Sequence, residues 1–239
     1  MRAVVLIPVY NNAATVGDVV RGCLDVTKDV IAVSDGSTDG SDEAARAAGA
    51  EVVRLPVNAG KGAAIRRGLE AAHEAGYTHA AAIDADGQHP PQELRRLLAA
   101  AADDEERIWI GVRRMPPRGT PAASRRGRAI SNFWATLNGW RRCYDVQSGL
   151  RVYPVETVRG LRCREPRFAF EMEVLVRAAW AGVRLGHLDV DVRYPPPEER
   201  VTHFDMWRDN LRFTWLSFAM FWGMVVRSPL LLWRKLAGR

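Results

Sequence analysis

Two aspartates one residue apart, Asp84 and Asp86, follow the apolar run His79 to Ile83 in the segment Ile83-Asp84-Ala85-Asp86-Gly87-Gln88-His89-Pro90-Pro91. Side chains at i and i+2 of an extended segment point the same way, so both carboxylates can grip one hard cation. The ends of strands are where α/β proteins bind ligands, and a cation held there would bind a diphosphate. Gly87 frees the backbone to turn, and Pro90 suits the first turn of a helix. The same residues also allow a plainer reading, in which Asp86 caps that helix and Asp84 is a solvated strand-end charge.

Three further strand ends carry polar groups suited to the same cleft. They are Pro8-Val9-Tyr10-Asn11-Asn12, Ser34-Asp35-Gly36-Ser37-Thr38-Asp39-Gly40 and Asn58-Ala59-Gly60-Lys61-Gly62. A Walker-type phosphate loop does not explain the last of these, because the upstream Gly and the Ser/Thr after the lysine are both missing. No GxGxxG follows the first strand, which argues against a dinucleotide dehydrogenase. Taken in order with Asp84 and Asp86, the motifs resemble family-two glycosyltransferases of the GT-A fold, and among them the polyprenol-phosphate (dolichol-phosphate) mannosyl- and glucosyltransferases. The resemblance covers roughly residues 3 to 195.

That resemblance implies an inverting, metal-dependent hexosyltransferase taking GDP- or UDP-hexose, mannose or glucose, as donor. Asp84, Asp86 and Gln88 would hold Mg²⁺ or Mn²⁺, with His89 a turn residue. Pro8, Tyr10, Asn12 and Asp35 would form the nucleotide side, Tyr10 lying against the base and Asp35 accepting hydrogen bonds from base or ribose. Lys61, flanked by glycines at the start of a helix, would reach a phosphate. The family's Pro-x-Tyr-Asn is usually followed by Glu and its second turn usually begins Asp-Asp, whereas Asn12 and Ser34 stand here, so the base stays open.

Downstream, Ser148-Gly149-Leu150-Arg151 with Asp145 before it matches a further family element, giving Arg151 a catalytic role. A lipid phosphate acceptor is already anionic and needs positioning more than a base. Arg113, Arg125, Arg126, Arg128 and Ser131 are candidates for binding it, Arg126 included among the catalytic groups; generic affinity for anionic headgroups is the alternative. Asp145 is the candidate base if the acceptor is a hydroxyl. Glu171 and Glu173, after Phe168-Ala169-Phe170, resemble an acceptor-side element, although a helix N-terminus alone favours acids.

The elements that must position these groups alternate. Strands are expected at Ala3 to Val9, Val30 to Ser34, Glu51 to Leu55, His79 to Ile83, Ile108 to Val112 and Val183 to Val192. Helices are expected near Ala14 to Asp25, Ser41 to Ala48, Ala63 to Ala75, Pro91 to Ala102, Ser124 to Gly139 and Phe170 to Ala181, with an irregular or extended piece through Tyr144 to Tyr153. This is an α/β chain with a mostly parallel, Rossmann-like sheet flanked by helices. Residues 113 to 123 read as a mobile loop. The organisation is a catalytic domain over 1–195, with a nucleotide-sugar half (1–111) and an acceptor half (112–195), then a stiff linker and membrane-associating helices over 196–239.

With 239 residues and 47% hydrophobic content the chain can bury a full core. Three cysteines without CxxC spacing argue for reduced, packing thiols, and the first apolar run is too short for a signal-peptide core. The net charge of +6 is concentrated: six arginines and no acid lie between Arg113 and Arg128. Nucleic-acid binding is not expected, since no aromatics interleave with that charge.

The last segment changes character. Phe213 to Val226 carries no charge over 14 residues, and Arg227 and Ser228-Pro229 interrupt it before Leu230 to Trp233. That run is too short to cross a bilayer, and Trp with Lys/Arg favours the interface. We read it as an amphipathic tail on the cytoplasmic face of the membrane; a helix packed on the domain or a homodimer contact is the alternative. Other function classes stay open: transfer to a hydroxyl of another lipid or small metabolite, and a catalytically degenerate binding or scaffold protein.

Overall fold

The computed structural model describes residues 1–115, 120, 122–194 and 206–236. The strands are β1 (Ala3–Val9), β2 (Val30–Asp35), β3 (Glu51–Leu55), β4 (His79–Ala82), β5 (Ile108–Arg113), β6 (Arg151–Pro154) and β7 (Leu185–Val190). The helices are α1 (Ala13–Leu24), α2 (Ser41–Ala47), α3 (Lys61–Glu74), α4 (Glu93–Asp103), α5 (Ala122–Gly139), α6 (Val155–Gly160), α7 (Phe170–Ala181) and α8 (Met206–Leu236).

One seven-stranded sheet runs in the order β3-β2-β1-β4-β6-β5-β7. All neighbours are parallel except β6, which lies antiparallel between β4 and β5. The chain direction reverses at β1, from which β2 and β4 lie on opposite sides, and such a switch point opens a crevice at the carboxyl ends of the strands. The period-two alternation of β1 shows how the sheet is covered. Val4 and Leu6 face a core shared with α3, α7 and α8, while Val5, Ile7 and Val9 face a second core with α1 and α4. Cys23 and Cys143 are packed in these cores.

The irregular or extended piece expected through Tyr144 to Tyr153 is regular only at β6, and the short helix α6 follows it directly. One expectation is corrected. The C-terminal segment is one helix of 31 residues that runs through Ser228-Pro229 without interruption. Pro229 has no N–H for the Val225 carbonyl, and the Ser228 hydroxyl donates to that carbonyl instead at 2.8 Å. Leu216, Met220 and Met224 of α8 are buried, and Asn138 Nδ2 donates to the Ser217 carbonyl, so the helix is packed against α5 and α7. Among the described residues no helix is long and apolar enough to cross a membrane. Of the loop expected at 113–123, residues 116–119 and 121 lie outside the described residues, while Arg113 ends β5 and Ala122 opens α5; the expected linker after Tyr194 also lies outside the described residues.

Candidate active site

The cleft opens at the carboxyl ends of β1, β2, β3 and β4. Its walls include Pro8 of β1, Tyr10 and Asn12 after it, Asp35 of β2, Asn58 and Lys61 after β3, and Asp84 and Asp86 after β4. Arg167 and Phe168, from the segment before α7, close it from above the sheet edge. Seven residues expected to hold the donor are therefore brought together: Pro8, Tyr10, Asn12, Asp35, Lys61, Asp84 and Asp86.

Backbone donors and short polar side chains sew the loops. Asn11, with φ of +49°, takes the Thr38 N–H on its side-chain oxygen and donates its own N–H to Ser37 Oγ. The Asn12 N–H donates to Ser41 Oγ at 2.8 Å, and the Ala13 N–H to Asp39 at 2.9 Å. Burial works against the Asp39 charge, but the bonds from Ser41 and Ala13 outweigh it and hold this carboxyl below the usual range. Asp35 is buried and accepts the N–H groups of Ala59 and Gly60 at 2.7 Å each. Besides lining the cleft, it therefore braces the third loop, with one N–H on each oxygen and a lone pair left on each.

The glycines around Lys61 also serve a different purpose from the one expected. Gly60 has φ of +100°, and a Cβ there or on Gly62 would collide with the 165–167 segment, whose Pro166 carbonyl accepts the Ala63 N–H at 2.9 Å. They admit a strap over the cleft. Glu173 anchors this strap, taking the N–H groups of Arg164 and Glu165 at 2.8 and 2.7 Å while Arg177 Nε donates to its other oxygen.

At the centre, Lys61 Nζ lies 2.6 Å from Asp84 Oδ1 and 2.6 Å from Glu171 Oε1. Burial opposes the lysine charge, but the two carboxylates outweigh it and raise its pKa. Asp84 is likewise pushed up by burial and pulled further down by Lys61, ending below its ordinary value. Asp86 lacks such a partner. Burial first, and the Asp84 charge second, push it up to about 6, although it accepts the Gln88 N–H at 3.0 Å. Gly149 backs the pair: a Cβ at this position would run into the Asp84 carboxylate. His89 is buried behind the turn and pushed down to about 4 by burial, so it is neutral, and its Nδ1 has no hydrogen-bond partner among the described residues.

On the acceptor side, Arg113 Nε and Nη2 each donate to Asp145 at 2.8 Å, and the Arg113 N–H donates at 3.0 Å. Arg128 lies 3.7 Å from the same carboxylate and donates to the Arg113 carbonyl. Several expectations change here. Asp145 is fully enclosed and held by two guanidinium groups, which does not suit a general base. Arg151 is buried, its guanidinium spent on the carbonyls of Ser148, Val146 and Glu171, so it fixes the loop and touches no cleft. Ser131 is buried with its hydroxyl on the Arg128 carbonyl one turn back. Gln88 is absent from the described cleft wall, and its carbonyl accepts the Arg193 N–H. Arg126 is exposed on α5.

Residues 4–164 match the family described as Glycosyl transferase family 2. The chain belongs to this family. This glycosyltransferase is 30% identical over 210 residues to "Glycosyltransferase AglJ" of Haloferax volcanii, covering 86% of this chain and 67% of the relative. It is 28% identical to the undecaprenyl-phosphate mannosyltransferase of Micrococcus luteus, over 77% of this chain and 81% of the other. It is 28% identical to the polyprenol monophosphomannose synthase of Mycolicibacterium smegmatis, over 93% and 87%. The fold is GT-A: glucosyl-3-phosphoglycerate synthase of M. tuberculosis superposes with a TM-score of 0.69 at 20% identity, covering 93% of this chain and 80% of that one. The same synthase has been solved with Mn²⁺ and UDP-glucose (TM-score 0.64, 21% identity, 83% and 73% coverage).

Sequence reading of the transferase missed Arg167 and Phe168 as cleft residues, because no spacing connects them to the strand ends. The signal was indirect. The apolar start of α7, buried from Phe170 to Val176, carries two acids, Glu171 and Glu173, and a buried acid needs a cation.

Proposed function

We propose that this glycosyltransferase passes a hexose from a nucleoside-diphosphate sugar to a lipid phosphate of the polyprenol type, with a divalent cation and with inversion at the anomeric carbon. The observation that carries the reading is the carboxylate pair Asp84/Asp86 on the wall of a cleft shared with Tyr10 and Lys61. Names of the relatives from M. luteus and M. smegmatis supply the acceptor class.

The residues present fit a hard divalent ion. Two carboxylates, Asp84 and Glu171, hold one ammonium, and Asp86 beside them is pushed up to about 6 by burial and by the Asp84 charge. Among the described residues no cluster of three His, Cys, Asp or Glu forms a closed metal cage. This is the pattern of a cation shared between one or two carboxylates and substrate phosphates. Such an ion supplies charge neutralisation for the departing diphosphate.

The protein's own groups do the rest. Tyr10 offers a flat face to the base, and Lys61 a positive charge to the diphosphate. The acceptor phosphate oxygen forms the new bond to the anomeric carbon as the bond to the donor's diphosphate breaks, the electron pair leaving with the diphosphate. No side chain needs to act as nucleophile or strong base, since the attacking oxygen is already anionic. Arg126, exposed on α5, and Arg128, beside Arg113, provide positive charge on the acceptor side.

The acceptor comes from the cytoplasmic membrane face. On α8, Trp215, Phe218, Trp222 and Val226 are exposed on the side opposite Leu216, Met220 and Met224. Trp and Phe on a helix whose charges are nearly all basic suit an anionic interface. The test is transfer of labelled hexose from GDP-mannose and UDP-glucose to polyprenyl phosphate with Mg²⁺ or Mn²⁺. Metal-dependent label in the lipid phase is expected. Label found only in a water-soluble hydroxyl acceptor would replace the lipid-phosphate reading, and no transfer with either donor would favour a binding protein.

A further inference from the structure

Lys61 is the first residue of α3, and its ammonium sits between Asp84 and Glu171, 2.6 Å from each. The two acidic residues are held in place, whereas the lysine is the long side chain between them. Gly149 leaves no room for Asp84 to retreat, and the Glu171 carbonyl is tied to Arg151 Nη1 at 2.9 Å. The Phe168 ring lies 5.9 Å from Lys61 Nζ. The lysine therefore occupies an oxygen of one of the two carboxylates that a divalent ion needs, while also being the cleft's cation for a diphosphate. A third ammonium N–H remains for a phosphate oxygen, but as long as the charge stays on Asp84 it opposes the ion at that carboxylate.

We propose that Lys61 is an internal counter-cation which competes with the divalent ion for Asp84 and is handed to the donor's diphosphate when the nucleotide arrives, with Glu171 as the pivot that retains it. This rests on the reading of Asp84 and Asp86 as the metal pair. In the nucleotide-free protein the ammonium neutralises Asp84 and the ion binds weakly. When a diphosphate enters, one ammonium N–H moves from Asp84 to a phosphate oxygen while another stays on Glu171, and the freed Asp84 oxygen becomes available. Metal and nucleotide then bind as a pair. Glu171 is a positioning residue: it sets how firmly Lys61 leans on Asp84.

The experiment is titration of Mn²⁺ alone, followed by spin resonance of the free ion at pH 8, and of nucleotide in saturating Mn²⁺. Lys61→Met should bind Mn²⁺ alone about 10-fold more tightly than wild type, because the competing charge is gone at hydrogen-bond distance. The same variant should bind nucleotide about 10-fold more weakly. Glu171→Gln, which leaves Lys61 only Asp84, should weaken Mn²⁺ alone several-fold. Lys61→Met leaves Glu171 buried without its cation, so Lys61→Met/Glu171→Gln provides a charge-balanced variant, checked by thermal melting. It too should exceed wild type in affinity for Mn²⁺ alone. If the wild type takes up Mn²⁺ with nucleotide but neither lysine variant gains affinity for Mn²⁺ alone, the competition is refuted and the metal reading survives. If no variant binds Mn²⁺ with or without nucleotide, both fall.

Discussion

Asp84 and Asp86 are chemically similar and one residue apart, yet their surroundings drive them in opposite directions. Lys61 holds Asp84 below its ordinary value, whereas burial and the Asp84 charge push Asp86 up to about 6. The folded state thus binds the Asp86 proton more tightly than the unfolded chain, whose carboxyl titrates near 3.8. Its contribution to stability is complete below that lower value and is lost as pH rises through about 6. In metal-free buffer, Asp86→Asn is therefore expected to raise the melting temperature at pH 7.5 and to leave it nearly unchanged at pH 4. Equal melting shifts at both pH values would contradict this assignment. Metal-dependent nucleotide binding should run the other way, weakening as pH falls below about 6. Asp86→Ala should abolish transfer with the fold intact by circular dichroism. Asp145 behaves differently. Removing its charge strands Arg113, so Asp145→Asn should cost about 3–5 kcal/mol of stability, seen as a lower urea midpoint; an unchanged midpoint with lost turnover would restore it as a base.

At the scale of elements, each motif legible in the sequence proved to be one half of a contact whose other half is remote. Gly149 of the Ser-Gly-x-Arg element exists for Asp84, on a strand end more than sixty residues away, and Gly60 and Gly62 exist for the 165–167 strap. Gly149→Ala should accordingly disable transfer by at least about 100-fold through displaced Asp84, with the sheet retained, as measured by rate and near-UV dichroism together. Most strands, and the meeting of Pro8, Tyr10, Asn12, Lys61, Asp84 and Asp86 at one cleft, were readable because alternating apolar runs end in polar loops, a local pattern. Asp35 was placed in the cleft, and its bracing of the third loop was not foreseen, because the backbone N–H groups of Ala59 and Gly60 leave no mark on side-chain identity. Arg151 and Ser131 were unreadable for a related reason: a motif says that a side chain is required, and only packing says whether it faces substrate or carbonyls. Pro229 misled because its rule assumes an unserved carbonyl, and Ser228 serves it.

The whole molecule joins a GT-A cleft to a helix that turns an aromatic face outward. Trp215 is 74% exposed and Val226 77% exposed, with Phe218 and Trp222 between them, whereas Leu216, Met220 and Met224 tie the same helix to the catalytic domain. In the proposed function, chemistry and membrane contact are thereby held on one packed body. Trp215→Ser with Trp222→Ser should abolish cosedimentation with vesicles of anionic lipid, leaving the binding of water-soluble nucleotide unchanged; retained sedimentation would move the contact elsewhere, and loss of a dimer would show α8 to be a subunit interface. The claim on which everything else depends is that Asp84 and Asp86 bind donor through a divalent ion. Calorimetry of GDP and UDP with Mn²⁺ present, and again after chelation, tests it most directly. Binding of one nucleotide that disappears with the chelator is the predicted result, and binding that is unaffected by chelation, or no binding of either nucleotide, would contradict it.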